Sequence, residues 1–504
     1  MKIFAMKYNT KLNKQVFTAP LRGKYKLKEE TRNDGGFLSK GRRLPTLCFS
    51  LFFAWLLSLP FEGGVLSALA SQYAGVNMEA LANLAIITHF VGLFSCGFFF
   101  PKRQGAKSLL FFSAAICLLC SIALLLPYSP VWFAAIGIMS LTAGFHVATW
   151  SFWIVSETPK SQRLKICADI LIYSNIAMIL CNVVAENLFP WVGLFFSMLI
   201  LLGATLLVRK LPERLEGTIC GREMLKEEHY VSPRKPLAAL FLFVTIITVN
   251  SGLMYSVVVP AFEHLPLLTS WYWAVPYIGA LLLMKKVQKG SNRQYFLTVA
   301  IVMLGASFLL FTVLDRSPLS YLIIDTLMLG ACGICDIFWW SMLGEMLDFS
   351  KNPPKIFGIG LSSNILGIIL GSLLAQGIGA AGGGNPDLTM NIALAIVLLI
   401  IMILPILYKQ LDTVLADHAF GVELQEMTVE EKKDVEEHLA IPGEFSDRER
   451  EIIGKLLQGK PYRLIGEELY ISENTIKFHV KNIYAKLGVH NKTELLKVLE
   501  GKQI

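Results

Sequence analysis

Residues 471–489 read ISENTIKFHVKNIYAKLGV, and their spacing predicts a short, sharply bounded helix. Ser472 is a good N-cap, because its hydroxyl can accept from an amide that the first turn leaves unpaired. Gly488 stops the helix, since glycine takes the left-handed C-cap conformation without strain. Between them Ile476, Val480, Ile483 and Leu487 recur at i, i+4, i+7 and i+11, the period of one buried face. The opposite face carries Asn474, Lys477, Phe478, Lys481 and Ala485. Upstream, Ser446-x-x-Glu449 is a capping box opening a helix with Ile452, Ile453, Leu456 and Leu457 inward and Gly459 at its end. A second short helix holds Ile465 and Leu469, with Gly466 where a neighbour comes close. Asn491-x-x-Glu494 caps a fourth helix containing Leu495, Leu496 and Leu499. Four short helices, the middle two joined by a tight turn, make a helix-turn-helix module.

The residues Phe445-Ser446-x-Arg448-Glu449, Gly459, Ile465-Gly466-x-x-Leu469, Ile471-Ser472-x-x-Thr475-Ile476-Lys477-x-His479-Val480, Ile483 and Lys486-Leu487-Gly488-Val489 closely resemble the LuxR/NarL-type DNA-binding domain. Gly466 stands where that family usually has Ala, and Lys492 where it usually has Arg. The resemblance implies that Glu473–Leu487 is the recognition helix of a major-groove reader. Ser472, Asn474, Lys477, Phe478 and Lys481 would face the DNA. The two lysines would reach bases or phosphates, and Phe478 a base edge such as a thymine methyl. Arg463, Thr475 and Lys492 would hold the backbone and fix the register. It also implies a homodimer on DNA, with Leu495, Leu496 and Leu499 as candidates for its seam or for plain core packing. By charge alone the lysines could equally be a solvated face.

The rest of the chain is of another kind. The protein has 504 residues, 54% of them hydrophobic and only 17% charged, with a mean hydropathy of +0.54. A soluble domain is about one quarter charged, so a purely soluble enzyme and a disulfide-stapled secreted protein are both excluded. Apolar runs near 45–69, 81–100, 107–126, 131–155, 166–185, 189–208, 237–260, 267–284, 295–314, 319–347, 356–378 and 389–408 predict twelve helical crossings of about 30 Å of hydrocarbon. The loops test this independently. Those with Lys102/Arg103/Lys107, Lys160/Arg163/Lys165, Lys285/Lys286/Lys289/Arg293 and Lys351/Lys355 alternate with loops almost free of Lys and Arg, Arg316 excepted. The basic loops face the cytoplasm, which predicts two cytoplasmic termini. Residues 1–43, with twelve Lys/Arg against three acids, read as a disordered cytoplasmic arm that sets this topology. The connection from Arg209 to Pro236 divides the spans six and six.

That 6+6 plan resembles the major facilitator superfamily, whose two halves rock about a site at the bilayer midplane. His146, Trp150 and Ser151 of span four recur as Asp336, Trp340 and Ser341 of span ten. The superfamily's Gly-x-x-x-Asp-Arg-x-Gly-Arg loop is matched only in part by Gly97, Lys102 and Gly105, with Pro101 in place of the acid. Ionisable groups within spans are expensive and hence candidates for function. Glu62, His146 and Asp336, with Trp150 and Trp340 beside them, suit a small ligand that is partly aromatic or cationic. The alternative is that the tryptophans pack and that His146 and Asp336 bond between helices. Most cysteines lie in apolar stretches as small hydrophobes, Cys117-x-x-Cys120 and Cys332-x-x-Cys335 included.

The fold expected is thus all-α. Residues 1–43 form a tail, 44–409 a twelve-span membrane domain, 410–441 an acidic helical linker and 442–504 the DNA-binding domain. The expected function is a membrane-bound one-component transcription regulator in a bacterial cytoplasmic membrane. Its partners would be promoter DNA, the lipid bilayer and a small molecule sensed by the membrane domain. The alternative is a transporter carrying an autoregulatory DNA-binding domain. With no nucleophile triad, phosphate loop or metal cluster in view, neither catalysis nor a cofactor or metal is expected.

Overall fold

A computed structural model of the chain describes residues 40–498 apart from 62, 101–103, 159–161, 212–233, 270, 287–292, 348–351, 383–385, 427–444, 458–459, 461, 490–493 and 496–497. The described residues are helical, with no strand among them. The first half of the membrane domain holds α1 (Lys40–Leu56), α2 (Gly64–Ala70), α3 (Met78–Phe99), α4 (Ala106–Ala123), α5 (Pro130–Thr149), α6 (Ser151–Glu157), α7 (Arg163–Asn187) and α8 (Pro190–Arg209). The second holds α9 (Arg234–Leu253), α10 (Pro266–Thr269), α11 (Ala274–Lys286), α12 (Arg293–Val313), α13 (Pro318–Met346), α14 (Pro353–Gly382) and α15 (Pro386–Glu426).

Eleven of the described helices are long and apolar enough to cross a membrane. The segment expected to cross at 267–284 is built differently. Here α10 and a turn at Trp271–Trp273 precede α11, whose 13 residues rise only about 20 Å at 1.5 Å each. Pro276, in the first turn of α11, has no amide with which to bond a preceding turn. The first span of each half is also irregular. A wide π turn at Leu57–Phe61 contains Pro60, and another at Met254–Val258 ends two residues before Pro260. Such turns leave helices locally unwound, a recurrent feature of functional sites.

Close helix contact in each half depends on glycine. A Cβ on Gly144 of α5 would sit 2.6 Å from the Leu93 nitrogen and 2.7 Å from the His89 carbonyl oxygen of α3. A Cβ on Gly333 of α13 would sit 2.8 Å from the Tyr277 carbonyl oxygen of α11. Small residues at such crossings let backbones approach within a bilayer, where packing has to replace the hydrophobic effect as the force between helices. The halves meet through α3 against α14, and through α7 against α11 and α13. Apolar side chains such as Leu119, Phe195 and Met402 are more than half exposed on the outer face, as lipid contact requires.

The C-terminal module comprises α16 (Asp447–Leu457), α17 (Tyr462–Glu468) and α18 (Glu473–Leu487). Its core gathers Ile452, Ile453, Leu456, Ile465, Leu469, Ile476, Val480 and Ile483, with Phe445, Val489 and Leu495. The capping box is formed: the Ser446 amide donates to Glu449 Oε2 at 2.8 Å, and the Glu449 amide to Ser446 Oγ at 3.3 Å. Partial burial pushes the Glu449 carboxyl up. The Lys486 ammonium at 2.6 Å and the Ser446 donors outweigh it, so its pKa lies below the usual range. Glu468 is held low as well, by Lys455 and Lys460, which tie α16 and the following turn to α17.

Two outcomes follow. Gly144→Val should force α3 and α5 apart and destabilise the purified protein by about 1–3 kcal/mol, read as a lower melting temperature; melting equal to the native chain contradicts this packing. Glu449→Gln should cost about 1 kcal/mol at neutral pH, measured by hydrogen exchange in 447–457. Because the folded carboxyl titrates below its unfolded value, its stabilisation is present at neutral pH and lost as pH falls through the folded pKa. The penalty should therefore shrink in acid, and a pH-independent penalty would contradict the pairing.

Candidate functional site

Two regions concentrate chemistry. The first is the outer face of α18. Ser472 Oγ accepts from the Thr475 amide at 3.1 Å, and Gly488 closes the other end at φ 68°. With the ends fixed and Ile476, Val480 and Ile483 buried, the face carrying Asn474, Lys477, Phe478 and Lys481 is exposed. Phe478 is 62% exposed. Single exposed apolar side chains are common, so it is the lysines on either side that distinguish this ring. Lys477 pairs with Glu473 at 2.6 Å across one helical turn, a surface pair worth under about 1 kcal/mol. Arg448 donates to the Leu469 carbonyl at 2.7 Å and so fixes α16 against the turn that leads into α18. In that turn the Ile471 amide donates to the Gly466 carbonyl. A Cβ on Gly466 would lie 2.6 Å from the Ile471 oxygen, which is why the residue there is so small.

The second region is a cavity of about 600 Å³ between the membrane halves. The first half supplies Phe61, His89, Asn175, Asn182 and Glu186, and the second supplies Tyr277, Asp325, Asp336, Trp339 and Trp340. Asp336 accepts from the Tyr277 hydroxyl at 2.7 Å and from Trp339 Nε1 at 3.1 Å. Asp325 is buried, and its Oδ2 has no hydrogen-bond partner. His89 Nδ1 lies 3.1 Å from the Ser140 carbonyl oxygen.

One end of this cavity is closed, on the side of the basic loops. Phe49 stacks on Trp150 at 4.8 Å and approaches Trp340 at 6.5 Å, while Trp340 meets Phe357 edge-on at 5.6 Å. Beyond this aromatic layer, polar ties join the halves. Lys285 of α11 bonds Asp169 of α7. Arg163 donates to the Gly344 carbonyl at 2.7 Å, and Asn352 to the Gly97 carbonyl at 2.6 Å.

The structure brings Asp336 and Trp340 to the cavity but leaves His146 and Trp150 outside its lining. His146 is buried against Phe52 at 3.6 Å between ring centroids, with Nδ1 3.0 Å from Ser113 Oγ and 3.1 Å from the Leu110 carbonyl oxygen. It bonds between helices, the alternative weighed above. Trp150 lies in the aromatic seal. Glu62 and Lys492 lie outside the described residues, as does the Arg463 side chain. Leu495 is wholly buried in the module core, which removes it from a dimer seam; Leu496 and Leu499 are not described. Sequence reasoning missed Asp325, although it sits eleven residues before Asp336 on the same face of α13 and answers to the same rule about charges within spans. Cys332 and Cys335, read as packing residues, are free thiols lining the cavity.

Comparison with known proteins separates the two regions cleanly. Residues 444–499 match the family described as "Bacterial regulatory proteins, luxR family". The monoamine regulon transcriptional regulator of Klebsiella aerogenes is 43% identical over 56 residues, covering 11% of this chain and 25% of that protein. The transcriptional regulatory protein DegU of Brevibacillus brevis is 47% identical over 47 residues, covering 9% and 20%. The transcriptional regulatory protein LiaR of Bacillus subtilis is 43% identical over 56 residues, covering 11% and 26%. The chain thus spans about a fifth to a quarter of the length of the curated relatives it matches. The human organic anion transporter MFSD10 superposes with a TM-score of 0.58 at 14% identity, covering 73% of this chain and all of that one. The major facilitator superfamily proton:xylose symporter XylE does so with 0.54 at 14%, covering 71% and 93%. At that identity the likeness is one of fold. The chain therefore joins a luxR-family helix-turn-helix module to a membrane domain with the major facilitator fold.

If the ion pair holds the closed end, Asp169→Asn should open it. A loss of about 1–2 kcal/mol corresponds to a five- to thirty-fold change in the open population. Cys167, buried near Arg163, should then react correspondingly faster with a maleimide, scored on its own peptide by mass spectrometry. An unchanged rate contradicts the tie.

Proposed function

We propose that this chain is a membrane-tethered transcription regulator whose C-terminal module binds promoter DNA and whose membrane domain acts as its sensor. The observation that carries the reading is the outer face of α18, where an exposed Phe478 stands between Lys477 and Lys481 within the luxR-family match. Lys477 and Lys481 reach bases or phosphates, Phe478 a base edge, and Ser472, Asn474 and Thr475 the backbone and groove floor. Arg463 and Lys492 complete the backbone contacts. Two modules bind together as a dimer. The alternation of basic loops supports a cytoplasmic module and cytoplasmic termini, and the module's match to bacterial regulatory proteins supports a bacterial membrane.

The sensor half of the reading is supported by the cavity and by α15. That helix of 41 residues continues through the last span, Leu388–Leu411, to Glu426, so the first part of the acidic linker is a helical continuation of that span. A ligand that prefers one rocking state shifts the population of states by its differential affinity. A coupling of about 1–3 kcal/mol is enough for a useful switch. The second reading, a transporter whose attached module regulates its own gene, is favoured by the cavity and the transporter fold alone. Uptake of labelled substrate into vesicles separates the two.

The direct test is promoter occupancy by chromatin immunoprecipitation, comparing the native chain with Lys477→Ala/Lys481→Ala. Losing two phosphate or base contacts should weaken binding by about 2–6 kcal/mol, which abolishes occupancy while the protein remains in the membrane. Occupancy equal to the native level would sink the assignment.

A further inference from the structure

The cavity's electrostatics are one-sided. Its described lining contains three carboxylates, Glu186, Asp325 and Asp336, and no lysine or arginine. Asp336 already accepts from two donors. Asp325 differs: it is only 8% exposed, and its buried Oδ2 has no partner. A second lining group is in the same position, since Asn182 Oδ1 is buried without a donor. Both unpartnered atoms are acceptors. An unpaired buried acceptor is costly, and an unpaired buried carboxylate more so. What these two acceptors lack is a donor, and what the Asp325 carboxylate lacks beside it in the lining is a basic side chain.

The remaining lining says what should carry them. Trp273, Tyr321, Trp339 and Trp340 surround the same space, and aromatic faces attract cations within about 6 Å of the ring. An anion would meet three acidic side chains and no basic one. A cation with an apolar body would leave the aromatic walls dry and place its charge against Asp325.

We propose that this cavity binds an organic monocation, a protonated or quaternary amine or an onium ion with an aromatic or branched apolar body, with Asp325 as its counter-charge. The proposal rests on the sensor reading for its biological meaning, because it names the class of molecule that the sensor takes. Tyr277 and Trp339 keep Asp336 occupied as an acceptor, and Glu186 is exposed, so Asp325 is the buried carboxylate left for the ligand. Glu186 adds a third acidic side chain to the wall.

The probe is tetraphenylphosphonium, a fixed aromatic monocation, in equilibrium dialysis against the full chain purified in detergent. Tetraphenylborate, of the same shape and opposite charge, is dialysed separately as the control. The native chain should bind the phosphonium saturably and be indifferent to the borate. Asp325→Asn should weaken binding at least tenfold, and Asp325→Glu should restore most of it, which separates a lost charge from a misfolded bundle. The proposal is overturned if the native chain binds no phosphonium saturably, if the borate on its own binds as tightly, or if Asp325→Asn binds as tightly as the native chain. Promoter occupancy is read in a separate experiment, so the ligand class can fail while the regulator stands, and the reverse.

Discussion

The carboxylate of Asp169 and the ammonium of Lys285 join the two membrane halves at the end of the bundle that carries the basic loops. Around that pair the Arg163 and Asn352 bonds to backbone carbonyls make a polar lock, and the Phe49, Trp150, Trp340 and Phe357 rings make an apolar one. Most of the structure's functional meaning depends on this closure. It turns the space between the halves into a cavity with a floor, and it defines the state that a ligand could favour or disfavour. Asp169 is nearly buried and Lys285 one-third exposed, so breaking the pair strands a charge away from water. Such pairs are costly to break but add little to stability over an apolar contact, which is compatible with the proposal that the membrane domain changes state.

The two architectures in the chain solve different problems. In the bilayer, backbone groups must be paired within the helix, and glycines at 144 and 333 supply close packing. In the C-terminal module, eleven buried apolar side chains among the described residues and a reciprocal cap hold short helices that would not persist alone. The proposed reading of DNA depends on that rigidity, because such a face works only if its side chains leave a fixed helix at fixed positions. The long helix from Pro386 to Glu426 carries the chain from one regime toward the other.

How much of this was legible in the sequence differs between the parts. The C-terminal module could be read almost residue by residue, because capping and 3.6-residue periodicity are local rules. Ser446, Glu449, Ser472 and Gly488 do in the structure what their spacing announces. Eleven of the expected crossings appear as long apolar helices, since span length is also a local rule, and the broken segment at Pro266–Lys286 is marked by its prolines. The cavity was much less legible. Which face of a wholly apolar helix turns inward is decided by its neighbours. His146 and Asp336 occupy matching positions in the repeat, yet one is sealed between helices and the other lines the cavity. Asp169 and Lys285 are 116 residues apart, and nothing local pairs them.

The central claim is that the state of the membrane domain sets the affinity of the module for DNA, and it can be tested without knowing the ligand. The measurement is the Kd for promoter DNA of the full chain in nanodiscs, for the native protein, Asp169→Lys, and the reversed pair Asp169→Lys/Lys285→Asp. The account predicts a change of at least about fivefold for the single variant and a return toward the native value when the pair is reversed. The same Kd for all three, with Cys167 labelling showing that the closed end has opened in the single variant, would contradict it.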